Sequence, residues 1–256
     1  MSPSVLISIA AAKGSTPRDA GTSMTVTATG QSGTIGGGAL EWEAVRIARH
    51  MLQSGKPAER RTVVLGPDMG QCCGGAVTLD FTVGARATPS SAGPIWIWGA
   101  GHVGRAIAAV LAPLDAGAVT LVDTSGDRLP DPLPDGVTPL VASDMTRVVR
   151  HAPRDARHFI LTYSHDIDLT LCDALLRHGF TGCGLIGSDT KWARFRKRLA
   201  ALGHAEEDIR RIACPIGDPS LGKHPQAIAI GVAARLLRDT AATTNKEKSD
   251  RDFNIA

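Results

Sequence analysis

Apolar and polar positions follow two different rhythms along this chain. Up to about residue 86 the apolar positions form short, β-branched runs broken by glycine. Residues 5–11 (VLISIAA) read as a strand ending at Lys13-Gly14-Ser15-Thr16-Pro17-Arg18, where glycine and proline force a turn. Residues 23–29 (SMTVTAT) alternate and put Met24, Val26 and Ala28 on one face. A glycine-dense stretch at 30–38 then leads into residues 40–52, where Leu40, Val45, Ile47, Ala48, Met51 and Leu52 recur at helical spacing. Residues 61–65 and 76–83 read as two more strands on either side of GPDMGQCCGG (66–75).

Beyond residue 94 the rhythm becomes strand, helix, strand. Strands are expected at 95–98, 119–122, 158–162 and 184–187, and helices at 103–114, 170–178, 189–202 and 225–238, with a proline-rich loop at 128–139. Trp192, Phe195, Leu199 and Leu202 form the apolar stripe of one helix; Ile228, Val232 and Leu236 form that of the last. Such alternation predicts a parallel sheet covered on both faces. The expected fold class is therefore α/β: a C-terminal Rossmann-type parallel-sheet domain (95–238) and a smaller N-terminal α+β domain (1–87). Residues 88–94 (TPSSAGP) have linker composition, and the polar tail at 239–256 is expected to be disordered.

Composition narrows the function classes. A net charge of +3 over 256 residues and only 4% aromatic side chains argue against a nucleic-acid partner or a base-stacking surface. No apolar run approaches the roughly 18 residues that a bilayer span needs. No basic leader precedes the first strand, so a cytoplasmic protein is expected. Five cysteines, an odd number without framework spacing, suggest reduced thiols.

Candidate chemistry gathers in both halves. Gly99, Gly101 and Gly104 form a GxGxxG that follows a strand and opens a helix. Asp123 ends the next strand, 24 positions after Gly99, near the spacing of an acid that reads a ribose hydroxyl. NAD or another nucleotide is the cofactor this pattern suggests. No arginine directly follows Asp123, so a 2′-phosphate is not expected there. An NAD-dependent oxidoreductase using His165 as acid or base is the reading this half would support alone. Asp168 would orient His165 or cap the next helix; Lys191, Arg194 and Arg196 line a basic helix; Lys223 and His224 precede the last one. In the first half, Gly36, Gly37 and Gly38 can expose amides to an anion, and Arg18 can grip an oxyanion in bidentate fashion. Cys72 and Cys73, beside Gln71 and flanked by glycine pairs, are either small buried hydrophobes or exposed thiols of lowered pKa. No second Cys or His pair at ligand spacing supports a zinc site.

Seven ordered motifs carry a resemblance over nearly the whole chain, to about residue 238. GSTPR (14–18), GTIGGGALE (33–41), LGPDMGQCCGG (65–75), WGAGHVGRA (98–106), LTYSHDIDL (161–169), GLIGSDTKWARFRKRL (184–199) and CPIGDPSLGKHPQAIAIGVAARLL (214–237) together resemble the xanthine dehydrogenase accessory proteins. The resemblance implies a maturation protein more than an enzyme, acting as a chaperone for the molybdenum cofactor. Such a protein binds the molybdopterin form, holds it for sulfuration by a cysteine desulfurase, and helps insert it into xanthine dehydrogenase. By motif, Cys72 and Cys73 become candidates for contacting molybdenum or its sulfido ligand, with Gln71 shaping their loop. Two-domain chains with apolar-rich helical surfaces often pair, so a homodimer is one assembly left open. Members of that family carry a helix ahead of the first strand; here the strand begins almost at once, so the start is either shortened or lacks that helix.

Overall fold

The computed structural model describes residues 3–66, 74–85, 93–114 and 117–253, with side chains to residue 242. The chain divides into two compact units, Met1–Thr88 and Pro89–Ala256.

The first unit is an antiparallel sheet with one helix on it. Its strands are β1 (Ser4–Lys13), β2 (Ser23–Thr27), β3 (Gln31–Gly33), β4 (Ala58–Val64) and β5 (Ala76–Val83), in the order β3-β2-β1-β5-β4. Helix α1 spans Gly38–Ser54. Alternation sends Val5, Ile7, Ile9, Met24, Val26, Val77, Leu79 and Phe81 to one face. There they pack with Leu40, Ala44, Ile47, Ala48 and Met51 of α1 in a single core. The short β3 (QSG) has no apolar signal; pairing with β2 creates it.

The second unit is a six-stranded parallel sheet. Its strands are β6 (Ile95–Trp98), β7 (Val119–Asp123), β8 (Val137–Val141), β9 (Arg157–Ile160), β10 (Gly182–Leu185) and β11 (Ile212–Ala213), in the order β11-β10-β9-β6-β7-β8. Counted from β6 this is 3-2-1-4-5-6, the Rossmann order, and it reverses between β6 and β9. The helices are α2 (His102–Leu111), α3 (Met145–Val148), α4 (His165–His178), α5 (Asp189–Ala201), α6 (Glu206–Ile209) and α7 (Pro225–Phe253). Both faces are covered, so β6 is buried along its whole length. Ile95 and Ile97 join one core with α2 and α7, while Trp96 and Trp98 join the other with α3 to α6. Trp98 Nε1 donates to His158 Nδ1 at 3.1 Å inside that second core. Burial, helped by His178, lowers the His158 pKa to about 3, so the ring is neutral.

Several elements differ from the sequence pattern, each for a physical reason. The proline-rich stretch contains a strand, β8, because an edge strand tolerates Pro139 opposite Leu121. α4 begins at His165, five residues early, because Ser164 caps it. The last helix does not stop near residue 238 but continues to Phe253, through the stretch expected to be a disordered tail; no glycine or proline follows Gly231 to break it.

The β6–α2 turn depends on backbone contact. Gly99 has φ +113°, and a Cβ there would lie 2.5 Å from the Leu161 carbonyl oxygen; a Cβ on Gly104 would lie 1.9 Å from the Gly99 carbonyl oxygen. Gly101 has open space around it. Gly104→Ala should therefore cost about 3 kcal/mol or more in urea unfolding, while Gly101→Ala should change stability by less than about 1 kcal/mol.

Candidate functional site

The three glycine motifs of the first unit meet at one end of its sheet. The turn after β1 (14–18), the turn after β3 (33–38) and the connection between β4 and β5 all lie where β1, β3 and β4 end and β2 and β5 begin. Their packing is backbone on backbone. A Cβ on Gly36 would strike the Pro17 ring at 2.6 Å, and one on Gly75 would sit 2.2 Å from the Ser15 carbonyl oxygen. Leu65 N donates to Gly75 O at 2.7 Å and Gly74 N to Leu65 O at 2.8 Å, so the connection between them is pinned at its base. Gln71, Cys72 and Cys73 belong to that connection and lie outside the described residues.

Gly36, Gly37 and Gly38 have φ of +128°, +72° and +61°, a run of left-handed conformations that only glycine sustains. The amides this run turns inward already have an anion. Glu41 Oε2 accepts from Thr34 Oγ1 at 2.6 Å, Gly37 N at 3.0 Å and Ile35 N at 3.3 Å, while Oε1 accepts from Gln31 Nε2 at 2.9 Å. Burial raises the Glu41 pKa, but hydrogen bonds from Thr34, Gly37, Ile35 and Gln31 outweigh it and leave the pKa below the ordinary value. Glu41 is thus a structural anion inside the loop, a role that its place in the first turn of α1 could have signalled. Three features still face solvent. α1 starts at Gly37 without a side-chain cap, Gly38 and Ala39 are exposed, and Arg18 is exposed without a hydrogen bond or ion pair among the described residues. Lys13, also exposed, ends β1 beside them.

In the second unit Gly99, Gly101, Gly104, Asp123 and His165 sit at the carboxyl edge of the sheet, around the β6/β9 reversal, where ligands of such folds bind. Asp123 is engaged within the fold. It is 1% exposed; Oδ2 accepts from Ala100 N at 2.6 Å and Oδ1 from Thr124 N at 2.7 Å, so the carboxylate holds the glycine turn to β7. The arginine that the residues next to Asp123 lack arrives from five positions further on: Arg128 Nε is 3.7 Å from Asp123 Oδ1.

Asp168 is not the helix cap and does not orient His165. It is buried, accepts from Thr162 N at 3.0 Å and Thr162 Oγ1 at 2.7 Å, and pairs with Lys191 Nζ at 2.6 Å. Lys191 is therefore no solvated charge; it also donates to Ile186 O at 2.9 Å and lies over the Phe195 ring. The pair locks the loop after β9 to the loop after β10. His165 is exposed and meets only the edge of Phe195, at 6.4 Å between centroids, so among the described residues it has no carboxylate partner to make an acid/base pair. Lys223 is exposed in the loop before α7, without a polar partner among the described residues. Cys172 and Cys183 are buried and burial raises both thiols; Cys214, half-buried, is pushed up to about 11 by burial, so these three are poor nucleophiles. Among the described residues no cluster of three or more His, Cys, Asp or Glu could hold a metal, and no helix is long and apolar enough to cross a membrane.

Comparison with known proteins covers both units. The model of the XdhC Rossmann domain matches residues 95–236, and that of the XdhC and CoxI family matches residues 2–64. The Escherichia coli K12 protein YqeB is 33% identical over 242 residues; the match takes in 92% of this chain and 43% of YqeB, so the chain spans less than half of that relative's length. The crystal structure of a xanthine dehydrogenase from Bacillus halodurans superposes with a TM-score of 0.69 at 15% identity, covering 93% of this chain and 92% of that one, a likeness of fold.

Because the Glu41 pKa is lowered on folding, its contribution to stability is present above the unfolded value of 4.5 and is lost as pH falls through the folded one. Glu41→Gln should cost about 1–3 kcal/mol in urea unfolding at pH 7, and the gap to wild type should shrink below about pH 4.

Proposed function

Since this chain belongs to the XdhC and CoxI family, we propose that it is a maturation protein that carries the molybdopterin form of the molybdenum cofactor. In this reading the cofactor is cargo: the protein holds it while a cysteine desulfurase sulfurates it, and then passes it to a xanthine dehydrogenase. The observation that supports the reading best is the meeting of three glycine motifs beside two cations, Lys13 and Arg18, without polar partners among the described residues, at the start of α1, which lacks a side-chain cap.

That arrangement suits a phosphate-bearing pterin. Free amides at a helix start favour an anion, and an unpaired arginine adds a bidentate grip. Glu41 keeps the loop in shape before cargo arrives, so little ordering is needed on binding. Cys72 and Cys73, in the connection anchored at Leu65 and Gly74 at this same end, would contact the molybdenum end of the cargo, with Gln71 beside them. The thiolate is the form that ligates a soft metal or passes sulfur, and these two cysteines, unlike the three in the second unit, lie in a glycine-flanked connection.

The test is cargo retention. The full chain is purified from a host that makes molybdopterin, and bound pterin and molybdenum are measured by mass spectrometry. Wild type should retain both, Arg18→Ala should lose about tenfold in retention, and Cys72→Ala or Cys73→Ala should lose molybdenum or sulfur while keeping pterin. Unchanged retention, together with unchanged activation of the target dehydrogenase, in both cysteine variants contradicts the cysteine assignment. Absence of pterin from wild type contradicts the cargo reading.

A further inference from the structure

The crevice at the β6/β9 reversal of the second unit has a recognition element that its sequence pattern does not announce. Arg128, in the loop after β7, has its guanidinium carbon 4.3 Å above the centre of the Tyr163 ring, which comes from the loop after β9. Both side chains are open to solvent, Arg128 at 45% and Tyr163 at 60%. The loop that carries Arg128 is held firmly. Arg105 of α2 donates from Nε to Ala100 O at 2.8 Å and Arg128 O at 3.0 Å, and from Nη2 to Arg128 O at 2.5 Å. One side chain thus ties the glycine turn to the loop after β7.

The chemistry at this edge is the reverse of an acid that reads a ribose diol. The Asp123 carboxylate is buried and accepts from Ala100 N and Thr124 N, so it presents little surface to a hydroxyl. What this edge offers instead is a solvent-open guanidinium whose central carbon lies 4.3 Å over a tyrosine ring. An arginine can stack and hydrogen-bond at once, because the two use perpendicular directions of the same planar group. Beside it, Gly101 and His102 are exposed at the start of α2, where Gly101 is not side-chain capped.

We propose that this crevice binds a nucleotide whose ribose carries a phosphate, with Arg128 gripping that phosphate and the Tyr163 ring fixing the guanidinium plane. Asp123 is a positioning residue here: it holds the glycine turn and lies 3.7 Å from Arg128 Nε. The site is independent of the pterin cargo, whose proposed cradle lies in the first unit.

The experiment uses NADP⁺, NAD⁺ and inorganic phosphate as probes on the full chain. Tyr163 is the sole tyrosine, so protein grown with 3-fluorotyrosine gives one fluorine resonance that reports on this crevice alone. Calorimetry should find NADP⁺ binding about tenfold or more tighter than NAD⁺, and NADP⁺ should shift the Tyr163 resonance. Arg128→Ala should abolish the preference while leaving NAD⁺ affinity within about threefold; Arg128→Lys, which keeps the charge but not the planar fork, should fall between. Equal affinities for the two dinucleotides, no binding of either, an Arg128→Ala preference equal to wild type, or a resonance that moves as far with inorganic phosphate alone overturns the proposal.

Discussion

Both units close a glycine loop around a carboxylate of their own. In the first, Glu41 receives the amides of Ile35 and Gly37; in the second, Asp123 receives those of Ala100 and Thr124. Inward-turned amides carry partial positive charge, and leaving them buried without an acceptor would cost more than the bonds return. A carboxylate drawn into the fold, half-buried at Glu41 and fully buried at Asp123, has the same problem with opposite sign, so each solves the other's. The loops therefore hold their shape without a ligand, and the groups left for one are at the rim: Lys13, Arg18 and the start of α1 in one unit, Arg128 and Tyr163 in the other.

Glycine makes those closures achievable in a different way at each place. At Gly36 to Gly38 the requirement is conformational, three residues in a row at positive φ. At Gly75 and Gly104 it is spatial, because a carbonyl oxygen occupies the place of a Cβ. The ion pair of Asp168 with Lys191 completes the second unit's edge by joining the loops after β9 and β10. Removing either partner alone would strand a buried charge, which makes the pair a fixed part of the edge rather than a catalytic device.

The parallel sheet and the glycine turn were legible because their signals are local. Strands 76–83 and 95–98 coincide with β5 and β6, and the GxGxxG opens α2 as its spacing requires. By contrast β3, β11, α3 and α6, of two to four residues, lack the continuous apolar run that marks an equally short buried strand such as β6. The roles of polar residues were the least legible, since they depend on partners distant in sequence. Spacing puts Asp123 at the end of its strand and says nothing of the Ala100 amide that it accepts from. A basic helix says nothing of the buried pairing of Lys191 with Asp168, and five residues separate Arg128 from the strand end to which it returns. The one signal available was the acid at Glu41, four residues after Gly37 in a first helical turn, a position that favours an anion.

The proposed pterin cradle lies at the glycine end of the first unit and the proposed nucleotide site at the carboxyl edge of the second. Hydrogen exchange of the full chain, followed by mass spectrometry with and without molybdopterin, separates these places directly. Slowed exchange in peptides covering 13–18 and 36–40, with 99–104 unchanged, is the predicted result. Protection confined to 99–104, with the first unit exchanging as before, would contradict it.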